Sequence, residues 1–325
     1  MNELIPIKKP SVSIVVPVYN GERTIAMCLD ALVNQAMSDD RYEIIVVDNK
    51  STDATCEIVR RYDVTLLHEV EIQTSYAARN RGIAAAGGEI IGFTDADCVA
   101  HPEWLSELIK PFSDPAVGGV GGRVLDSEPE NEVERFIRST GLFSGYQDET
   151  IFLPILLTNC VAYRKEILEA LCGFNYRLFT GADIDLSWRM QLETGARVAY
   201  APEAIVYHMH RSTLSGMARQ FRRYGYGEIF LDAMYHKQPD YQRTPGRQYR
   251  RMLSQTRALI IYSASYVYRS IRSIGGRRDS AYRRQPRYWF VIESNNLRGK
   301  SEALVATCFM RRNPSVDFWE DPKER

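Results

Sequence analysis

No run of about 18 consecutive apolar residues occurs anywhere in the 325-residue sequence, so no membrane-spanning helix is expected. The opening Met-Asn-Glu-Leu-Ile-Pro-Ile-Lys-Lys-Pro has no apolar core followed by a small-residue cleavage site, which argues against export and for a cytoplasmic location. Cysteines are few and scattered. Cys28, Cys56, Cys98, Cys160, Cys172 and Cys308 include no Cys-x-x-Cys pair, so buried thiols are expected rather than a zinc site or a disulfide framework. Also missing is a Gly-x-Gly-x-x-Gly after the first strand-like segment, which disfavours a dinucleotide-binding enzyme. A Gly-x-x-x-x-Gly-Lys-Ser/Thr loop is absent as well, which disfavours an ATPase.

What remains is an ordinary globular composition, 45% hydrophobic and 25% charged, long enough for one large α/β domain with an appendage. A net charge of zero conceals two electrostatic regions, because residues 211–290 hold 17 Lys and Arg against 4 Asp and Glu. Within that block Arg283-Arg284-Gln285-Pro286-Arg287-Tyr288-Trp289-Phe290 interleaves arginine with aromatics, as interfacial segments do. The region suits docking on an anionic membrane surface or packing in a homodimer. Nucleic acid is not expected, since no binding motif accompanies the charge.

Along the chain, β-branched and apolar runs alternate with helical periodicity. Ser11 to Val18 reads as a strand entering the turn-forming Tyr19-Asn20-Gly21-Glu22. Ile25, Cys28, Leu29, Leu32 and Val33 recur at helical spacing. Tyr42 to Val47 is a second strand ending at Asp48, and Ser51 or Thr52 is expected to cap the helix running to Tyr62. A strand over residues 64–67, a helix over 74–86 and a strand ending at Asp95 follow. This is the repeat of a parallel sheet with helices on its faces, whose ligands bind at the carboxyl ends of the strands. Asn20, Asp48 and Asp95 all stand at such ends.

In Phe93-Thr94-Asp95-Ala96-Asp97 an extended chain would aim two carboxylates into one space. Carboxylates that close repel unless a cation lies between them, so a hard divalent ion gripping a diphosphate is one reading and a solvated acidic turn the other.

Four segments in order, Val16-Pro17-Val18-Tyr19-Asn20-Gly21-Glu22, Val46 to Asp53, Ala78-Arg79-Asn80-Arg81-Gly82 and Phe93 to Asp97, resemble glycosyltransferase family 2 over roughly residues 10–230. That resemblance implies an α/β fold of GT-A type, a mostly parallel central sheet with helices on both faces, occupying residues 1–230. A basic, largely helical extension over 231–325 would follow it. It implies an inverting transferase that moves a sugar from a nucleoside diphosphate sugar, UDP in the first instance, to a saccharide or lipid-linked acceptor hydroxyl in polysaccharide or glycolipid assembly. By the same resemblance Pro17, Tyr19 and Glu22 line the nucleotide, Asp48 hydrogen-bonds the base, and Arg79 lies near base and phosphates. Asp95 faces the ribose or the metal, and Asn159 the sugar or acceptor. Asp97 and His208 bind Mn²⁺ or Mg²⁺, and Asp183 is the catalytic base with Asp185 as the fallback. The segment Arg219 to Gly227 would close over the diphosphate. Lys50 departs from the family's usual glycine, and Ala182 replaces the glutamate that usually precedes the base. A nucleotidyltransferase and a non-catalytic sugar-nucleotide-binding scaffold are the alternatives.

Overall fold

The computed structural model describes residues 11–38, 41–140, 152–210, 212–242, 245–272 and 280–309. The chain forms two compact units, the first from Met1–Ser127, Ser144–Tyr176 and Ala182–Met209, the second from Glu128–Phe143, Arg177–Gly181 and His210–Arg325.

In the first unit, β1 (Val12–Val18), α1 (Ile25–Val33), β2 (Tyr42–Asp48), α2 (Thr55–Val59), β3 (Thr65–His68), α3 (Ser75–Ala85) and β4 (Ile90–Phe93) follow the expected alternation. Beyond β4 come β5 (Cys98–Ala100), α4 (Trp104–Ile109) and β6 (Val117–Asp126). The second unit takes α5 (Glu132–Thr140), and the first resumes with β7 (Val161–Arg164), α6 (Lys165–Ala170), α7 (Ala182–Arg189) and β8 (Arg197–His208). Strands order β3-β2-β1-β4-β7-β6-β8-β5. Pairings among β3, β2, β1 and β4 are parallel, as is β6 with β8, whereas β7 runs against both neighbours and β5 runs against β8. The sheet is thus α/β and mostly parallel on one side. The short β5, absent from the sequence reading, makes the antiparallel edge.

Every residue of β1 is buried, as a strand covered on both faces requires. Pro17 is tolerated there because the β4 ladder ends with Val15 opposite Phe93, leaving only β2 alongside Pro17. Helix α1 buries Ile25, Cys28, Leu29 and Leu32, the spacing its sequence shows. Thr74 caps α3 by accepting from Ala77 N. Gly82 lets α3 sit directly on β1, for a Cβ there would lie 2.4 Å from Val15 Cγ1. The expected cap on α2 is corrected. That helix is only five residues long with no side-chain cap, and Ser51 Oγ instead accepts from Asn20 N at 2.8 Å.

The second unit is helical: α5, α8 (Leu214–Tyr235), α9 (Pro245–Arg272) and α10 (Ser280–Phe309). Val133, Phe136, Ile137, Met217, Phe221, Tyr288 and Ile292 form its core. Helices α8 and α10 cross at backbone contact. A Cβ on Gly225 would lie 2.0 Å from the Asn296 carbonyl oxygen, and one on Gly299 would lie 1.9 Å from that of Arg222. Residues 219–227 are therefore the middle of a packed helix. The side chains of Arg283 and Arg284 and the tail from Asn313 lie outside the described residues.

Candidate active site

At the carboxyl ends of β1 and β2 two loops are laced together. Gly21 N donates to Thr55 Oγ1 at 2.8 Å, Thr52 N to Asn20 Oδ1 at 2.8 Å, and Ala54 N to Glu22 Oε2 at 3.2 Å. Glu22 is thus a loop tie as well as a surface carboxylate. Tyr19 is half exposed beyond β1, and Pro17 is buried within the strand. Asp48, nearly buried, accepts from Ser51 N at 3.3 Å, and His68 Nδ1 lies 3.4 Å from its Oδ2 because β2 and β3 pair in register there. Asn49 donates to the Glu69 and Ile72 carbonyls at 3.1 and 3.0 Å, fixing the exit of β3. Lys50 stands at φ 67°, the left-handed region, which explains why glycine is the usual residue in the resembling family.

At the end of β4 the chain turns sharply. Cys98 N donates to the Asp95 carbonyl at 3.0 Å, so Asp95 and Asp97 sit on a turn instead of an extended strand. Their carboxylates take different partners. Asp95 Oδ1 is gripped by the guanidinium of Arg79, whose side chain is 4% exposed, while Asp97 Oδ1 lies 3.5 Å from His208 Nε2. The second contact arises because β5 pairs with β8 so that Cys98 faces His208. Asp97, Cys98 and His208 bring one donor atom each within 4.8 Å of one another. Burial, with Asp97 and Asp95 adding to it, pushes the Cys98 thiol well above its ordinary value. It stays a neutral thiol, a poor ligand for a hard ion, which leaves the Asp97 carboxylate and the His208 imidazole as the fitting pair. Of the residues expected at a metal, these two come together. Asp95 is committed to Arg79.

Arg79 also lies over the rings of Tyr76 and Phe174, at 5.4 and 5.9 Å to the centroids. Its Nε is buried without a hydrogen-bond partner, and so is Asn159 Oδ1. A buried polar atom left unsatisfied is costly, and both atoms are of the kind a ligand would satisfy. Asn159 is positioned through its carbonyl, which accepts from Thr94 Oγ1 at 3.0 Å, next to Asp95 in sequence.

Asp183 and Asp185 share the first turn of α7 but differ in surroundings. Asp183 Oδ1 accepts from Tyr76 Oη at 3.3 Å and from Ile184 N at 3.0 Å. Burial raises its pKa above the ordinary aspartate value, against the opposing pull of Arg79 and these hydrogen bonds. Asp185 is fully buried and takes Arg189 Nε at 2.9 Å, while the same guanidinium donates to the Leu171 and Gly173 carbonyls at 2.8 Å each. It is a brace between α7 and the turn after α6.

Tyr76 and Phe174 were missed in sequence. Tyr76 had a legible signal, three residues before Arg79 on one helix face; Phe174 had none, since it arrives from a distant turn.

The sequence model described as glycosyl transferase family 2 matches residues 13–172. The chain is 33% identical over 227 residues to the glycosyltransferase AglE of Haloferax volcanii, covering 68% of this chain and 73% of that one. It is 26% identical over 236 residues to a dolichyl N-acetyl-alpha-D-glucosaminyl phosphate 3-beta-D-2,3-diacetamido-2,3-dideoxy-beta-D-glucuronosyltransferase of Methanococcus voltae, covering 66% and 71%. Among solved structures, the mannosyltransferase PcManGT from Pyrobaculum calidifontis, in complex with GDP-Man and Mn²⁺, superposes with a TM-score of 0.61 at 22% identity, covering 91% of this chain and 87% of that chain. At that identity the likeness speaks for the fold.

Proposed function

The chain belongs to glycosyltransferase family 2, and on that premise we propose that it transfers a sugar from a nucleoside diphosphate sugar to an acceptor hydroxyl with inversion at the anomeric carbon. The observation that carries this reading is the Asp97–His208 pair, a carboxylate oxygen and an imidazole nitrogen 3.5 Å apart at the carboxyl end of the sheet.

Asp48 hydrogen-bonds the base, with Pro17, Tyr19 and Glu22 on the nucleotide side. Arg79 fixes Asp95 toward the ribose and supports the phosphates. Asp97 and His208 would hold Mn²⁺ or Mg²⁺, which when bound supplies a Lewis acid that neutralises charge on the departing diphosphate. Asp183 takes the proton from the acceptor hydroxyl as that oxygen bonds to the anomeric carbon and the bond to the diphosphate oxygen breaks. A base needs a reachable carboxylate of raised basicity, which favours the partly exposed Asp183 over the fully buried Asp185. Asn159 Oδ1 is the acceptor atom offered to a sugar hydroxyl.

The acceptor is a saccharide or lipid-linked saccharide in polysaccharide or glycolipid assembly, a reading supported by the dolichyl-phosphate-linked activity in the name of the Methanococcus voltae relative. The enzyme works in the cytoplasm or on the cytoplasmic membrane face, where it meets its donor. The test is a thermal-shift panel of UDP- and GDP-sugars with and without Mn²⁺, followed by transfer of labelled sugar from the best donor to extracted lipid-linked saccharides. Stabilisation by at least one donor only with metal, and labelled product, is the expected result. No shift with any donor would overturn the reading.

A further inference from the structure

Helix α9 carries large apolar side chains on its outward face. The side that meets α10 mixes polar and apolar residues: Met252, Ala258 and Leu259 are half-buried on it, while Gln255 Nε2 donates to Glu293 Oε2 and Asn296 Oδ1, both at 2.9 Å, and Gln255 Oε1 accepts from the buried Lys300 at 3.1 Å. Tyr262 stacks on Trp289 on the same side. The opposite side carries Tyr249, Leu253, Ile260, Ile261 and Val267, of which Ile260 is 68% and Ile261 64% exposed. At 100° per residue these positions fall within one arc of about 120°, and from Tyr249 to Val267 the stripe extends for about 27 Å. Arg250 and Arg257 are exposed within the same arc. No aspartate or glutamate occurs in the helix, whose arginines are Arg247, Arg250, Arg251, Arg257, Arg269 and Arg272. Arg251 is drawn inward, to Glu228 on α8.

We propose that this outer face of α9 lies flat on an anionic lipid bilayer, with Leu253, Ile260 and Val267 in the acyl boundary and Arg250 and Arg257 at the headgroups. Exposed apolar area of this extent needs a cover. The charge decides which cover fits. Two copies pairing through the same face about a two-fold axis would bring arginines against arginines with no acid on either helix, a repulsive contact. Nucleic acid would satisfy the arginines and leave the isoleucines in water. An anionic bilayer satisfies both, since a helix with an apolar face and a cationic margin binds by burial and attraction together. No described helix is long and apolar enough to cross a membrane, so α9 would lie along the surface.

The test is co-sedimentation of the full chain with vesicles of phosphatidylcholine, alone or mixed with phosphatidylglycerol, read without donor or metal so that it is independent of catalysis. The wild type is expected to pellet with the anionic vesicles only, and to be released as salt rises. Ile260→Glu with Val267→Glu should lower partitioning by about tenfold or more with an unchanged melting curve. Ile260→Ser with Val267→Ser serves if the charged pair unfolds the protein. A wild type that stays in the supernatant with anionic vesicles at low salt, or variants that pellet as the wild type does, would overturn the proposal. A dimer in light scattering that Ile260→Glu with Val267→Glu dissolves, without vesicle binding, would assign the face to a second copy instead.

Discussion

His208 Nε2 faces Asp97 Oδ1 at 3.5 Å across the last rungs of the β5–β8 ladder, a pairing that joins residues 111 apart in sequence. If the pair holds a divalent ion, calorimetry should show a nucleoside diphosphate binding in Mn²⁺ and hardly at all in EDTA. Asp97→Ala and His208→Ala should each weaken metal-dependent binding by about tenfold or more, the usual scale for losing a ligand or its support. Equal affinity with and without metal would remove the ion from the mechanism.

Asp183→Asn should keep donor binding and lose turnover by about 10²-fold or more, the contribution of a positioned general base. Its melting temperature should not fall. The folded protein holds the Asp183 proton more tightly than the unfolded chain does, so ionising this buried group costs stability at neutral pH, and a neutral isostere avoids that cost. A variant with wild-type turnover would show that the base lies elsewhere.

The same shift fixes a pH profile. Because Asp183 works as the carboxylate and its pKa is raised, turnover at saturating donor should rise with pH through a value above the ordinary aspartate range and then level. In Asp183→Asn that acidic limb should be gone from the residual rate. A wild-type profile flat down to the ordinary aspartate pKa would contradict the assignment.

Asp185→Ala should behave oppositely. It leaves the Arg189 guanidinium without its carboxylate in a largely buried place, so chemical denaturation should show a loss of about 3 kcal/mol or more. Turnover per folded molecule should drop far less than in Asp183→Asn. A stable variant devoid of turnover would make Asp185 the base.

Lys50 holds a left-handed backbone at φ 67° that glycine adopts freely. Lys50→Gly is expected to stabilise the protein by about 0.5–1 kcal/mol in urea unfolding, the penalty for a side chain at such a φ less the added chain entropy of glycine. A destabilised variant would mean that the Lys50 side chain makes a contribution larger than this strain.

The alternation of strands and helices from Val12 to Phe93 could be read from the chain because β1, β2 and β4 are largely buried on both faces and α1 on one, which imposes the periodicity on the residues themselves, while β3 is a half-exposed edge strand. Asp48, Asp95 and Asp97 were legible as strand-end carboxylates, and their order with Arg79 carried the resemblance. Only the tertiary structure separated their roles. Asp95 and Asp97 are two residues apart, yet the turn closed by Cys98 sends one to Arg79 and the other to His208. Asp183 and Asp185 are equally close, and α7 points one at Tyr76 and the other into the Arg189 brace. Which way the apolar residues of α9 face is likewise decided by its packing on α10. Local periodicity follows from burial of each segment and is written in that segment. Which acid meets which partner depends on strand register and helix packing between segments far apart, and no local pattern encodes that.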